Sequence, residues 1–392
     1  MSFLPPDYEQ YINEAYESHN GDVYRFLEEI LAMVESGLPE PLLVAVGEIL
    51  EKETDPVRSA NLRLLIGRLR MKKQDYRNII PGLGDIHLDE SLPGNLRCCA
   101  YWLHAQVHVA NADADKALDC CRKGLEISSD IEDRTAVEIL NTTGVCYFHL
   151  EQYEDAIRYF EKYIQALEDI GDTVPSKAYN NIAVNYSSLG ESKASIDAYK
   201  KALAIEKKNR NPRSIAIALS NLAGHFLTQN NPESALEYSE NAFDMLEDVE
   251  DNFWRSQTLI NLTQSNLLLE KYDDAMKTAE QAVFIANSSQ RVSEIADAML
   301  TRAIVFAKLG KPDAADAIEK AVIYFESNSV RSSDFMEMAL FEWSKLVDPD
   351  TSRRLLLKAK RTAESRSHIP LFQMMLDKVN AALSGHPGSP AR

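Results

Sequence analysis

Apolar residues recur along most of this chain at three- and four-residue steps, the spacing that gathers them on one face of an α-helix. Tyr179, Ile182, Ala183 and Tyr186 make one such stripe, and Ala156, Phe160 and Tyr163 make another. Polar turns separate the stripes. Asn211-Pro212 and Asn231-Pro232 each put a capping side chain ahead of a proline at the first helical position. The pattern predicts helices in pairs, joined by short turns.

The pairs repeat. The phrase Leu-x-x-(Tyr/Pro)-x-x-Ala returns as LEQYEDA from Leu150, LGESKAS from Leu189, QNNPESA from Gln229, LEKYDDA from Leu269 and LGKPDA from Leu309, at intervals of 39, 40, 40 and 40 residues. NADADKA from Asn111 extends the series upstream, KKQDYRNI from Lys73 fits it poorly, and LVDPDTS from Leu346 fits it moderately. A small residue stands at a fixed place in each first helix: Gly144, Ala183, Ala223, Thr263 and Ala303. Small against small lets two helices approach closely, and a neighbouring aromatic fills the flank. One helix pair cannot bury its own apolar face, whereas stacked pairs can.

This pattern resembles the tetratricopeptide repeat, most closely in TTGVCYFHLEQYEDAIRYFEKYI. The period is near 40 rather than the usual 34, so each helix is longer by up to a turn. With NN(I/L)A in the first helix, the long form is similar to the repeats of kinesin light chain and of Rap-type bacterial peptide receptors. The resemblance implies an all-α fold, a right-handed α-solenoid of helix-turn-helix repeats. It is clearest over residues 98–325. The expected organisation is an acidic helical cap over 1–60, one continuous solenoid over 61–366, a capping helix over 367–385 and a loose tail over 386–392.

Asn181, Asn221 and Asn261 recur 40 residues apart, each in the first helix of a pair. Asparagine is a mediocre helix former, so its return at one phase asks for a reason. On a helical wheel each lies roughly 160° from the small residue two positions later. The three amides are therefore expected to face away from their own second helix, along the inner wall of the solenoid. Lys177, Gln257 and Gln264 share that face, and Asn141 and Asn180 border it. A row of amides offers donors and acceptors to the backbone of an extended peptide. The resemblance implies the same role, since such asparagines bind peptides in kinesin light chain-like and Rap-like relatives. The competing expectation is a structural ladder in which the amides bridge neighbouring helices.

Composition narrows the partners. The chain has 392 residues, is 45% hydrophobic and carries a net charge of −18. So acidic a chain is not expected to bind nucleic acid or an anionic membrane surface. Residues 1–60 hold 13 acids against Arg25, Lys52 and Arg58, while Arg353, Arg354, Lys358, Lys360 and Arg361 make a basic segment near the other end. No signal peptide or membrane span is legible, and five cysteines without metal-ligand spacing suggest reduced thiols in the cytoplasm. Cys121 falls where Phe160 falls one repeat later, as a core residue would.

Candidate chemistry is sparse. His104 and His108 lie four apart but lack the glutamate of a metalloprotease helix and sit on the buried phase. Trp102 projects near the expected inner face, and Trp343 falls on the core phase. No phosphate loop or nucleophile context is present, and neither cofactor nor metal is expected. A Rap-like phosphatase would need a glutamine or an acid in an N-terminal bundle; Gln10 is the one glutamine before residue 61. The expected function is a non-enzymatic scaffold that holds a peptide segment of a partner. The alternative is a Rap-like receptor in which a small peptide controls an effector held by the N-terminal helices.

Overall fold

The computed structural model describes residues 8–19, 27, 29–30, 40–128, 134–247, 249, 251–289, 291–328, 330 and 333–385. Parts of the expected N-terminal cap and the whole tail over 386–392 lie outside the described residues. The chain divides into two compact units, Met1–Val174 and Pro175–Arg392. No strand occurs among the described residues.

The first unit contains α1 (Tyr8–Ser18), α2 (Glu40–Lys52), α3 (Pro56–Lys72), α4 (Ile79–Leu83), α5 (Gly94–Ala110), α6 (Ala114–Ile127), α7 (Arg134–His149) and α8 (Tyr153–Asp169), with a short 3-10 turn at Tyr76–Asn78 before α4. Helices α5/α6 and α7/α8 are the first two clear pairs. The expected small contact residue shows its purpose at Gly144 in α7. A Cβ there would come within 2.7 Å of the Phe160 ring of α8. Cys121 is 1% exposed and belongs to the core of this unit, as its repeat position predicts.

The second unit contains α9 (Ser176–Ser188), α10 (Ser192–Asn209), α11 (Pro212–Thr228), α12 (Pro232–Met245), α13 (Asn252–Leu268), α14 (Tyr272–Ser289), α15 (Val292–Lys308), α16 (Ala314–Ser327), α17 (Met336–Ser344), α18 (Pro349–Glu364) and α19 (Pro370–Ser384). The predicted caps form: Asn211 accepts from Ser214 N and Asn231 from Ser234 N, each at 3.2 Å and each before a proline. First helices α11, α13, α15 and α17 touch one another in sequence, so they make a continuous layer. Each second helix packs on its own first helix and on the next one. At Thr263, the bulkiest of the small contact residues, the hydroxyl is satisfied by Leu259 O and Thr278 Oγ1, both at 2.8 Å. Trp343 is half-buried against the core.

The last helix folds back. Beyond its neighbours α17 and α18, α19 reaches α11. The connection before it places His368 Nε2 2.7 Å from Ser188 O at the end of α9, so that nitrogen carries the proton it donates. Phe372, Met375 and Val379 of α19 are at most 2% exposed. The helix is thus fixed by burial rather than appended.

The turns inside the six pairs from α5/α6 to α15/α16 have the same geometry. Ala112, Glu151, Gly190, Asn230, Glu270 and Gly310 adopt positive φ between 53° and 78°, at the 39–40-residue period. The following amide reaches back to a carbonyl in the last turn of the first helix, for instance Gln152 N to Tyr147 O at 2.9 Å and Lys271 N to Asn266 O at 2.8 Å. This is the left-handed cap that closes a helix and redirects the chain. Glycine or asparagine suits it, yet Ala112, Glu151 and Glu270 occupy three of the six places. A left-handed backbone costs an ordinary residue about 1–2 kcal/mol. Glu151→Gly is therefore expected to raise stability by about 0.5–1 kcal/mol, after the entropy that glycine regains on unfolding. A urea midpoint that falls would contradict this account of the turn.

Candidate functional site

The amides of the second unit's first helices fall into two groups. Asn180, Asn181, Asn221 and Gln257 are half-buried, and their side chains bond to no other described residue. Asn180 Oδ1 is fully covered yet meets no donor. Asn261 and Gln264 are 4% and 7% exposed and are already engaged. Asn261 Nδ2 donates to Ser220 O at 2.9 Å and to Ser220 Oγ at 3.2 Å, bridging α13 to α11. Gln264 Nε2 lies 3.5 Å from Thr301 Oγ1 of α15, where Thr301 takes the asparagine's place one repeat on. At Asn261 the amide is thus a rung of a structural ladder. At Asn181 and Asn221 it is not. Lys177 is exposed. Asn141 belongs to the first unit, half-buried, with a covered Oδ1 lacking a donor.

One residue explains the split. Ser220 precedes Asn221, and its counterpart one repeat earlier is Asn180. Serine is short, and its hydroxyl receives both Asn261 and, at 3.3 Å, Thr258 Oγ1. Asn180 makes no matching bond to Asn221.

Past the amides, the layer carries charge. Burial raises the Asp297 carboxyl to about 7; Asp334 and Glu294 push the same way, and a hydrogen bond from Ser333 opposes them. Arg255 Nε and Arg302 Nε are covered and meet no acceptor. Arg291 lies over the Phe253 ring at 4.3 Å. The arrangement offers amides for a backbone and, further along, ionic groups for charged side chains.

Other expected positions are structural. Trp102 is 6% exposed and donates Nε1–H to Thr142 Oγ1 at 3.1 Å, with Arg68 over its ring. His104 is 8% exposed beside His87, 4.4 Å between ring centres. Burial first, then His87 and His108, lowers it to about 4. No group of three or more His, Cys, Asp or Glu that could hold a metal ion occurs among the described residues. No described helix is long and apolar enough to cross a membrane.

A buried histidine cluster escaped the sequence reading. His225 Nδ1 lies 2.9 Å from Ser187 Oγ and 3.2 Å from Ser195 Oγ, while Nε2 lies 3.2 Å from Ser192 Oγ. Ser195 also donates to Ala183 O at 2.8 Å. Histidine and serines at these spacings form no motif; Ser187 of α9 and Ser192 and Ser195 of α10 meet His225 only because both helices pack on α11. Burial lowers His225 to about 4.

Two outcomes are expected. Asn261→Ala removes a buried rung and should cost about 1 kcal/mol of stability, whereas Asn181→Ala and Asn221→Ala should change it by less than about 0.5 kcal/mol. Equal losses in chemical denaturation at all three sites would reject the division. For His225, the folded form resists protonation that the unfolded form accepts below pH about 6.5. Its contribution is present above that pH and is lost as pH falls toward 4. The melting-temperature advantage of the natural chain over His225→Gln should therefore shrink between pH 7 and 4.5; a constant difference would show that the histidine is not buried neutral.

Family models described as tetratricopeptide repeat match residues 96–169 and 214–288, and another of that description matches 176–209. No curated protein matches the sequence significantly. Among solved structures, the chain is similar to the apo form of the quorum sensor NprR from B. thuringiensis, with a TM-score of 0.63 at 13% identity, covering 95% of this chain and 100% of that one. It is similar to NprR in complex with its cognate peptide NprX, with a TM-score of 0.58 at 12% identity over 91% and 99% of the two chains. A Rap protein complexed with competence and sporulation factor gives 0.58 at 14% identity over 96% and 98%. At such identities the likeness is one of fold. The matched stretches 96–169, 176–209 and 214–288 are thus tetratricopeptide repeats, and the helix pairs hold their 39–40-residue register across them.

Proposed function

We propose that this protein holds an extended peptide segment of a partner against the first-helix layer of the second unit. The observation that carries the reading is the set of half-buried amides at Asn180, Asn181, Asn221 and Gln257 that bond to no other described side chain or backbone. Asn180 Oδ1 has lost water without gaining a donor, the other three amides stay unpaired at the solvent boundary, and a peptide backbone supplies both donors and acceptors. Gln264 and Asn261 frame the row, Lys177 stands at its exposed end, and Asn141 offers the same chemistry in the first unit. Arg255, Arg302 and Asp297 would then read charged side chains of the ligand. The role is non-catalytic: His225 lies against serine hydroxyls but is only 3% exposed, so no substrate reaches that pair. Five free thiols fit a reducing, cytoplasmic setting.

A second reading has its own support. The likeness to NprR and to a Rap protein runs over at least nine-tenths of both chains, well beyond the repeats matched by family models. It favours a regulatory receptor, in which a small peptide in the layer controls an effector held by the acidic N-terminal helices over 1–60.

Peptides selected against the natural protein from a displayed library test the first reading. The double substitution Asn181→Ala/Asn221→Ala should weaken a selected peptide at least about tenfold, two lost hydrogen bonds of about 1 kcal/mol each, with melting unchanged. Undiminished affinity would remove the amide row from the binding site. The receptor reading adds a second requirement: peptide must alter the affinity of an effector whose binding is lost on changing acids within 1–60.

A further inference from the structure

The chain carries a net charge of −18, yet α18 is basic: Arg353, Arg354, Lys358, Lys360 and Arg361 stand against Asp350 and Glu364. Its buried side holds Leu355, Leu356, Ala359 and Ala363. On its outer side Arg354, Leu357, Lys358 and Arg361 recur at i, i+3, i+4 and i+7 and make one stripe. All four are exposed, Leu357 to 39%. Lys358 is paired with Glu326 of α16. Arg354 donates to Thr351 Oγ1 at 3.0 Å, and no acid among the described residues pairs with Arg354 or Arg361.

A stripe of the opposite sign lies on α2, in the first unit. Val44, Glu48 and Glu51 stand at i, i+4 and i+7, and all three are exposed, Val44 to 54%. No base among the described residues pairs with Glu48 or Glu51. Gly47 lies beside them, and a Cβ there would meet nothing within 4 Å. A second helix can therefore approach this backbone closely. Helix α2 also belongs to the most acidic stretch of the chain, residues 1–60.

The two stripes match in length and in chemistry. Each runs seven residues, about 10 Å of helix. Each combines one exposed aliphatic side chain with two charges that lack a counter-charge. Exposed ion pairs contribute little alone. Contact between Val44 and Leu357, with Gly47 admitting the second helix, adds apolar burial to the charge.

We propose that α18 of one molecule takes α2 of a second copy of this chain, with Arg354 and Arg361 on Glu48 and Glu51 and with Leu357 beside Val44. The two faces differ, so the contact joins copies head to tail, as a closed ring or an open chain. One helix-on-helix contact is at the small, weak end of protein interfaces. The assembly therefore forms at high concentration and dissociates on dilution.

Sedimentation equilibrium of the whole protein tests this. At millimolar concentration in about 0.05 M salt, the average mass should exceed that of one chain. In about 0.5 M salt, where charges are screened over about a third of the distance, it should fall to that of one chain. Glu48→Arg/Glu51→Arg and Arg354→Glu/Arg361→Glu should each be monomeric in low salt, because each leaves like charges on both faces. The chain with all four substitutions keeps the natural net charge and reverses the pairing, and it should associate again. All four positions are exposed, so melting should change little. A natural protein that stays monomeric in low salt overturns the proposal and leaves the α18 stripe to an acidic partner other than this chain. Association that survives either reversal overturns it too, as does a fourfold variant that stays monomeric.

Discussion

The left-handed residue at the turn of each of the six pairs from α5/α6 to α15/α16 is the constraint on which the rest depends. It fixes where the first helix stops and which way the second leaves, so it sets the angle at which the two apolar stripes meet. The hydrogen bond across each turn spans 2.8–3.0 Å in all six copies. A residue such as Gly144 is small because that angle brings Phe160 against it. Within the second unit the first helices α11, α13 and α15 meet in a layer because their pairs are turned alike. Glutamate at two of these turns shows that the packing outweighs a local conformational penalty.

The repeat was legible because it is written in several independent marks: the apolar stripes, the proline caps and the small contact residue. Each marks the same register, and Asn211, Asn231 and Cys121 fell where that register put them. The turn geometry was less legible. Glycine at 190 and 310 announces a left-handed residue, whereas Glu151 and Glu270 announce nothing, since their backbone is imposed by the helices on either side.

The site was read more coarsely than the fold. The same residue at the same phase suggested one role for Asn181, Asn221 and Asn261, with bridging and ligand contact as alternatives. The structure gives Asn261 a bridge because Ser220 stands opposite, and phase alone does not report what stands opposite. A wheel places Trp102 near the inner face and leaves packing and ligand contact open; Arg68 and Thr142, from other helices, cover it and make it a packed residue. The return of α19 to α11 has no local signature at all. It depends on how the preceding pairs accumulate their turns within the second unit.

The single rung between Asn261 and Ser220 also has an elastic consequence. Within the second unit the joint between α11 and α13 is pinned by hydrogen bonds that must break before the two helices slide. Between α9 and α11 the corresponding asparagine makes no bond and the helices touch less, but His225 of α11 lies 2.9 Å from Ser187 Oγ of α9. The two joints are therefore held by different groups, an amide on serine in one and an imidazole on serine in the other. Only the second contains a titratable group, so only its stiffness changes as pH falls toward 4.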